Sequence, residues 1–342
     1  MFVSWNNQNI RIDGRNKDNA DSCRFSFPGV SFTVKVKNGT VKARFRDFGC
    51  DGMNNCFNLV VDGKPSDVIK LKDGLHDYAL GTFNNESFQE LQLFKRTESL
   101  VGECEFLGFE VDDSAELASA ASTSSLIEFV GDSITCGYGI EAKSATEDFR
   151  DLTENAWLSY ASVASRMLGA RQSLVCYSGR GVYRNWASEP FEGANMNDLF
   201  TRVTAEAENH SWTFERSKPD IVVVTLGSND FSPPIFAQED LFKQAYRNLI
   251  HNIRLAYGDN IPVFCLTGPV LVKKLAELHN KYVYEIVEET ALKGDDMIFY
   301  FPLSRQSAKM GFGAQWHPSI AQAQKNGEEL ALFINKTVSL KK

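Results

Sequence analysis

Hydrophobic and polar positions follow two different rhythms along this chain, and the change falls near residue 112. Before it, short stretches alternate residue by residue. "FSFPGVSFTVKVKNGTVKARFRD" (25–47) alternates on both sides of Asn38-Gly39, a dipeptide that predicts a hairpin turn. "CFNLVVDGKPSDVIKL" (56–71) repeats the pattern around Asp62-Gly63, and "FQELQLFKRTES" (88–99) and "CEFLGFEVDD" (104–113) add further strands. Several short strands with closely spaced turn signals predict a β-sandwich or jelly roll over residues 1–112. The cations at Lys35, Lys37, Lys42, Arg44 and Arg46 alternate with apolar residues, which reads as one solvated sheet face.

"DDSAELASAASTSS" (112–125) is small, polar and without strand alternation. Residues 113–125 therefore read as a linker with at most a turn of helix. From 126 to 342 the rhythm is different. Continuous apolar runs ("LIEFV", "SLVCY", "DIVVVTL", "IPVFCLT", "MIFYFPL") alternate with stretches whose apolar residues fall three and four apart. "ENAWLSYASVASRMLG", "QEDLFKQAYRNLIHNIRLAYG" and "VKKLAELHNKYVYEIVEETALKG" are such helices. Strands alternating with helices of this length predict an α/β domain on a central parallel sheet with right-handed crossovers. Ligands of such sheets gather at the carboxyl ends of the strands.

Three strand ends and one late segment carry chemistry. The first strand runs into Gly131-Asp132-Ser133, the second into "SGRGVYRNW" (178–186) and the third into "GSNDFS" (227–232). "QWHPS" (315–319) opens the last helix, with Pro318 suited to its first turn. Singly, each has an ordinary explanation: a turn serine, a glycine loop, a helix-capping Asn229, a packing His317. Together they supply the parts of acyl transfer. A serine hydroxyl needs a base, and imidazole is the usual one near neutral pH. The tetrahedral intermediate needs donors, which close-approaching glycine N–H groups and an Asn amide provide.

This order, G-D-S, G-x-G, G-x-N-D and a late H-P, resembles the SGNH (GDSL-type) hydrolases. The longer strings "FVGDSITCGYG", "SGRGVYRN", "LGSNDFS" and "WHP" resemble carbohydrate esterase family two. The resemblance implies an N-terminal β jelly roll joined to a flavodoxin-like SGNH domain. It implies Ser133 as nucleophile and one oxyanion donor, His317 as base, and the Asn229 side chain as a further donor. Gly181 is the expected second donor, ahead of Gly179. Trp316 and Trp186 are candidates to stack on a sugar ring, with core packing as the other explanation. The implied activity is carbohydrate O-acetyl ester hydrolysis on plant-type polymers such as xylan or glucomannan, without a cofactor. A lipase- or thioesterase-type hydrolase and a degenerate carbohydrate-binding protein are the alternatives.

One position departs from the wider superfamily. The Asp expected three residues before the histidine is Ala314. A Ser-His dyad is therefore expected, with a backbone carbonyl of "GFGAQW" orienting the ring. A histidine so oriented should titrate near the unperturbed value of about 6.5.

Composition narrows the remaining classes. The 342 residues carry a net charge of −8, which argues against a nucleic-acid or anionic-membrane binder. No apolar run approaches the ~20 residues of a membrane span. The first residues lack a signal-peptide core, so the chain as given is expected to be cytoplasmic, or secreted after loss of a leader. Seven scattered cysteines include no CxxC, and the five histidines show no ligand spacing, so no metal is expected. "SGRGVYR" lacks the third glycine of a dinucleotide loop.

Overall fold

The computed structural model describes residues 1–206, 208, 210–233 and 237–340. In the first 120 residues two six-stranded antiparallel sheets form a sandwich. One is built around Thr40–Gly49 and Gly102–Val111, the other around Ser31–Lys37 and Gln89–Lys95. Period-two alternation sends Phe32, Val34 and Val36 inward from one sheet, and Val41, Ala43 and Phe45 from the other. Phe25, Phe57 and Phe106 complete a dry aromatic core, with tilted ring pairs at 4.1 Å (Phe32–Phe106) and 4.7 Å (Phe45–Phe57). The expected single cationic face is divided between the two sheets. Lys35 and Lys37 lie on Ser31–Lys37, while Lys42, Arg44 and Arg46 lie on Thr40–Gly49 in the other sheet. There cross-strand pairs hold Arg44 to Asp77 at 2.6 Å and Arg46 to Glu105 at 2.8 Å.

Two further expectations change here. Asp62-Gly63 does close a hairpin between Cys56–Val61 and Lys64–Lys70. Asn38-Gly39 does not. Its left-handed turn (φ 58° and 71°) passes the chain from one sheet to the other, because Ser31–Lys37 pairs with Gln89–Lys95 and Thr40–Gly49 with Gly102–Val111. A turn signal specifies a reversal of direction, while burial of the apolar faces chooses the strand partner. The expected linker also contains a strand, Glu116–Ala118, antiparallel on Lys35–Lys37, in place of a turn of helix.

The second half carries five parallel strands: β1 (Leu126–Gly131), β2 (Arg171–Cys176), β3 (Ile221–Thr225), β4 (Val263–Thr267) and β5 (Ile298–Pro302). Their order in the sheet is 2-1-3-4-5, the flavodoxin-like arrangement, whose switch point lies between β1 and β3. The helices are α1 (Ser133–Cys136), α2 (Tyr160–Leu168), α3 (Met196–Leu199), α4 (Glu239–Tyr257), α5 (Lys273–Leu292) and α6 (Ile320–Thr337). Residues on one face of the sheet, Val130, Val222, Val224 and Cys265 among them, bury against α4 and α5. Ile127, Phe129, Val223 and Leu266 on the other face bury against α2 and α6. None of the helices described is long and apolar enough to cross a membrane.

The sandwich and the α/β half share a polar seam. Buried Arg15 pairs with buried Glu128 on β1 at 3.0 Å. Buried Arg96 bonds the Glu154 and Leu152 carbonyls at 3.2 and 3.1 Å. Lys70 meets Asp151 at 2.6 Å.

Candidate active site

Ser133 opens α1 at the carboxyl end of β1. The turn is tight: a Cβ on Gly131 would lie 2.0 Å from Thr135 Oγ1, so only glycine fits. Asp132 caps α1, accepting from Ile134 N at 3.0 Å and from the Ser228 hydroxyl. Burial pushes the Asp132 carboxyl up to about 6 against these bonds.

His317 Nε2 lies 2.8 Å from Ser133 Oγ. Its Nδ1 lies 3.0 Å from the Ala314 carbonyl oxygen, which also accepts from His317 N at 3.0 Å. A carbonyl can only accept, so Nδ1 carries the hydrogen and Nε2 is free to take one from the serine. Among the described residues no carboxylate oxygen bonds Nδ1. Gln315 and Trp316 both adopt left-handed backbone (φ 48° and 58°), a strained pair of non-glycine residues. That reversal presents the Ala314 carbonyl to the ring and turns Trp316 outward.

Tyr138 covers the imidazole at 4.3 Å between centroids, is itself stacked on Phe149, and donates to Gln315 Oε1 at 2.8 Å. This enclosure has an electrostatic consequence. Loss of hydration pushes the His317 pKa down to about 4, with the Ala314 hydrogen bond pulling weakly the other way. The expectation of a value near 6.5 is thereby corrected: it counted the missing carboxylate but not the burial.

The two glycines of "SGRGV" differ in what surrounds them. Gly181 is buried, its N–H donates to Asn185 Oδ1 at 3.3 Å, and a Cβ there would meet Asp230 Oδ2 at 2.4 Å. It packs on Asp230, whose carboxylate gathers the N–H groups of Val182, Tyr183 and Arg184. Gly179, at φ 78°, is partly exposed, and among the described residues its N–H has no partner within the chain. Gly181, the expected donor, thus has its N–H engaged within the chain, while that of Gly179 is available to a ligand. Asn229, on the loop after β3, donates from Nδ2 to the Arg180 carbonyl at 2.9 Å and to Asp132 Oδ2 at 3.3 Å. It ties the glycine loop to the serine loop, and its longer bond is the one open to exchange.

Both tryptophans are at the surface, 64% (Trp186) and 58% (Trp316) exposed, which removes core packing as their explanation. Trp186 N donates to the Gly179 carbonyl at 2.7 Å, and Trp316 precedes His317. Trp186 is thus tied to the glycine loop, and Trp316 adjoins the histidine that meets Ser133.

Two further residues were not legible as site residues. Tyr138 was hidden in a glycine-rich turn. Glu98, on the loop after the strand Gln89–Lys95 of the sandwich, accepts from Ser178 N at 2.7 Å and from the Ser178 hydroxyl. Among the described residues, Glu98, Cys136 and Glu154 bring one ligand-type atom each within 4.8 Å of one another. Glu98 spends both oxygens on Ser178, and burial holds the Cys136 thiol well above its ordinary pKa. The trio is accordingly a proton-holding cluster and not a ready ligand set.

Comparison with known proteins follows the same division. Residues 12–120 match the carbohydrate esterase 2 N-terminal family, and residues 127–330 match the GDSL-like lipase/acylhydrolase family. Over 331 residues the chain is 33% identical to the cellulase/esterase CelE of Acetivibrio thermocellus, covering 96% of this chain and 39% of that protein. It is 28% identical to an acetylxylan esterase/glucomannan deacetylase of Cellvibrio japonicus, covering 68% of this chain and 64% of that one. The chain thus spans less than two thirds of the length of either. A solved family two carbohydrate esterase from Clostridium thermocellum, in complex with cellohexaose, superposes with a TM-score of 0.89 at 31% identity, covering 96% of this chain and 98% of that one. With a sandwich, a 2-1-3-4-5 sheet and a serine–histidine contact at its switch point, this chain belongs to the GDSL-like hydrolases and, among them, to the family two carbohydrate esterases.

Proposed function

We propose that the chain is a carbohydrate O-acetyl esterase acting on acetylated plant-type polysaccharides, such as xylan or glucomannan, or on oligosaccharides from them. The observation that carries this reading is the 2.8 Å contact between Ser133 Oγ and His317 Nε2 at the β1/β3 switch point. The names of the relatives supply the substrate class.

In this reading the Ser133 oxygen attacks the acetyl carbonyl while its proton passes to His317 Nε2. The negative charge that develops on the carbonyl oxygen is met by the N–H groups of Ser133 and Gly179. Asn229 Nδ2 joins them by giving up its longer bond to Asp132. Collapse breaks the bond to the sugar oxygen, which leaves with the proton from Nε2. Water then attacks the acetyl-serine, Nε2 takes its proton, and acetate departs with Ser133 restored. Trp186 and Trp316 offer exposed aromatic faces to the C–H faces of a sugar ring. Acetate release from acetylated xylan and glucomannan, set against release of a long-chain acid from acyl esters, tests this reading. Preference for the long acyl chain would overturn it.

A further inference from the structure

Glu98 is fully buried, yet it comes from the β-sandwich and not from the domain that carries Ser133. Its two carboxylate oxygens are both given to one residue: Oε2 accepts from Ser178 N at 2.7 Å, and Oε1 from the Ser178 hydroxyl. Ser178 immediately precedes Gly179. The next peptide plane, the one that carries the Gly179 N–H, therefore hangs from a residue clamped at two points. A glycine in left-handed conformation has little stiffness of its own. Beyond it the loop is held by Arg180 N on Tyr177 O at 3.3 Å, by Trp186 N on Gly179 O and by Asn229 on Arg180 O, and none of these bonds engages the Gly179 N–H itself.

The clamp is an expensive way to fill space. An ionised carboxylate in the interior costs several kcal/mol unless donors compensate it, and a neutral side chain would pack there more cheaply. Around Glu98 the protein assembles those compensations. Glu154 Oε2 accepts from Glu98 N at 2.9 Å, and the fully buried Lys95 ammonium lies 3.4 Å from the Glu98 carbonyl. Two carboxyls this close share one proton, and burial lifts both above the usual carboxylate range. Glu98 accepts two donors with its carboxylate, whereas Glu154 Oε1 accepts none among the described residues. The proton therefore rests on Glu154, and Glu98 is left able to accept both Ser178 donors.

We infer that Glu98 is a positioning residue: the sandwich reaches into the α/β half to aim the Gly179 N–H at the developing oxyanion. The inference rests on the esterase reading above, with Gly179 as donor. It implies that the two halves form one catalytic unit, since one oxyanion donor is set from across the seam.

The test uses the full chain with Glu98→Ala, Glu98→Gln and Ser178→Ala. For each, kcat and KM on 4-nitrophenyl acetate are measured, together with the melting temperature and the rate at which a small fluorophosphonate labels Ser133. Glu98→Ala should lower kcat by roughly 10- to 100-fold, the scale of an ångström-level misplacement, with KM within about threefold. Labelling should slow by the same factor. Gln at 98 can accept from Ser178 N and donate to its hydroxyl, so activity should return to within about threefold of wild type. Ser178→Ala keeps one of the two bonds and should lose roughly 3- to 10-fold in kcat. A folded Glu98→Ala protein with wild-type kcat and labelling would overturn the inference. If Glu98→Ala does not fold, Ser178→Ala at wild-type kcat and labelling overturns it instead. A wild-type protein that labels at Ser133 but releases no acetate would fail the esterase reading alone, and the labelling rates would still decide the role of Glu98.

Discussion

His317 Nδ1 sits 3.0 Å from the carbonyl oxygen of Ala314, three residues earlier in the same turn. The residue that would carry an orienting carboxylate in the wider superfamily instead presents its backbone to the ring. Ala314 itself is fully buried, and a Cβ on Gly139 would come within 2.3 Å of the Ala314 methyl. The turn is thus closed around a small side chain.

That geometry predicts the outcome of restoring the acid. Ala314→Asp should not raise kcat, because the Cβ points at Gly139 while the carbonyl points at Nδ1. A buried carboxylate without partners should lower stability by a few kcal/mol instead. Thermal unfolding and kcat measured side by side check this. A gain of tenfold or more in kcat would show that the turn can rebuild a triad.

The pH dependence follows from burial. With the His317 pKa pushed down to about 4, the neutral base is present down to that region. The steep fall of kcat/KM with acid should therefore be centred near pH 4, at least a unit below the ordinary histidine value. A shallow shoulder near pH 6 would report Asp132, whose pKa is about 6 and which braces Asn229. Loss of nine-tenths of kcat/KM by pH 5.5 would contradict the buried-base description.

The same depressed value makes a stability prediction with a fixed sign. His317 and the buried His279, also near 4, bind fewer protons folded than unfolded between about pH 4 and 6.5. The contribution of each ring to stability should therefore fall as pH drops through that window and level off below it. The buried Asp132 and Asp230, raised to about 6 and about 7, contribute with the opposite sign over the same range, so one ring has to be isolated. The difference in denaturant midpoint between wild type and His279→Gln, followed from pH 7 to 4, provides the check. A difference that does not change with pH would mean that His279 keeps its ordinary value.

How much of this was legible in sequence depends on the kind of information each residue carries. The five strand runs and the helices at 239–257 and 273–292 were readable because buried parallel strands and amphipathic helices write their period directly into the chain. Ser133, Asn229 and His317 were nameable because strand ends and motif order locate them without coordinates. The choice between Gly179 and Gly181 was not available. Both are glycines in one loop, and only the position of Asp230, 49 residues after the second, shows which one is packed away. Glu98 lay in a stretch that reads as a strand of the sandwich, and its meaning comes from a seam between two halves that no local pattern encodes. The Asn38-Gly39 turn failed for a related reason: it encodes a reversal, while the sheet assignment is set by long-range burial.

Replacing Asn229 by Ala should lower kcat by roughly 10²- to 10³-fold, as for loss of an oxyanion donor. Because Asn229 also ties Arg180 to Asp132, a smaller rise in KM should accompany it. Steady-state kinetics decide, and a pure KM effect would make Asn229 a substrate-binding residue only.

The tryptophans separate sugar recognition from chemistry. Trp186→Ala and Trp316→Ala should each raise KM on acetylated polysaccharide several-fold, in line with about 1 kcal/mol of lost aromatic contact. Activity on 4-nitrophenyl acetate should change little. Equal losses on both substrates would place their role in shaping the site and not in holding a sugar.

Trapping the acyl-enzyme tests the central claim most directly. The protein is mixed with an acetylated oligosaccharide, quenched in acid within the first turnover, digested, and its peptides weighed. An acetyl group should be found on Ser133 in the wild-type protein. The Ser133→Ala variant, folded to the same melting temperature, should carry none and lose roughly 10³-fold or more in kcat. Acetyl on another residue, or more than a tenth of the activity surviving in Ser133→Ala, would contradict the assignment of Ser133 and His317 as the reacting pair.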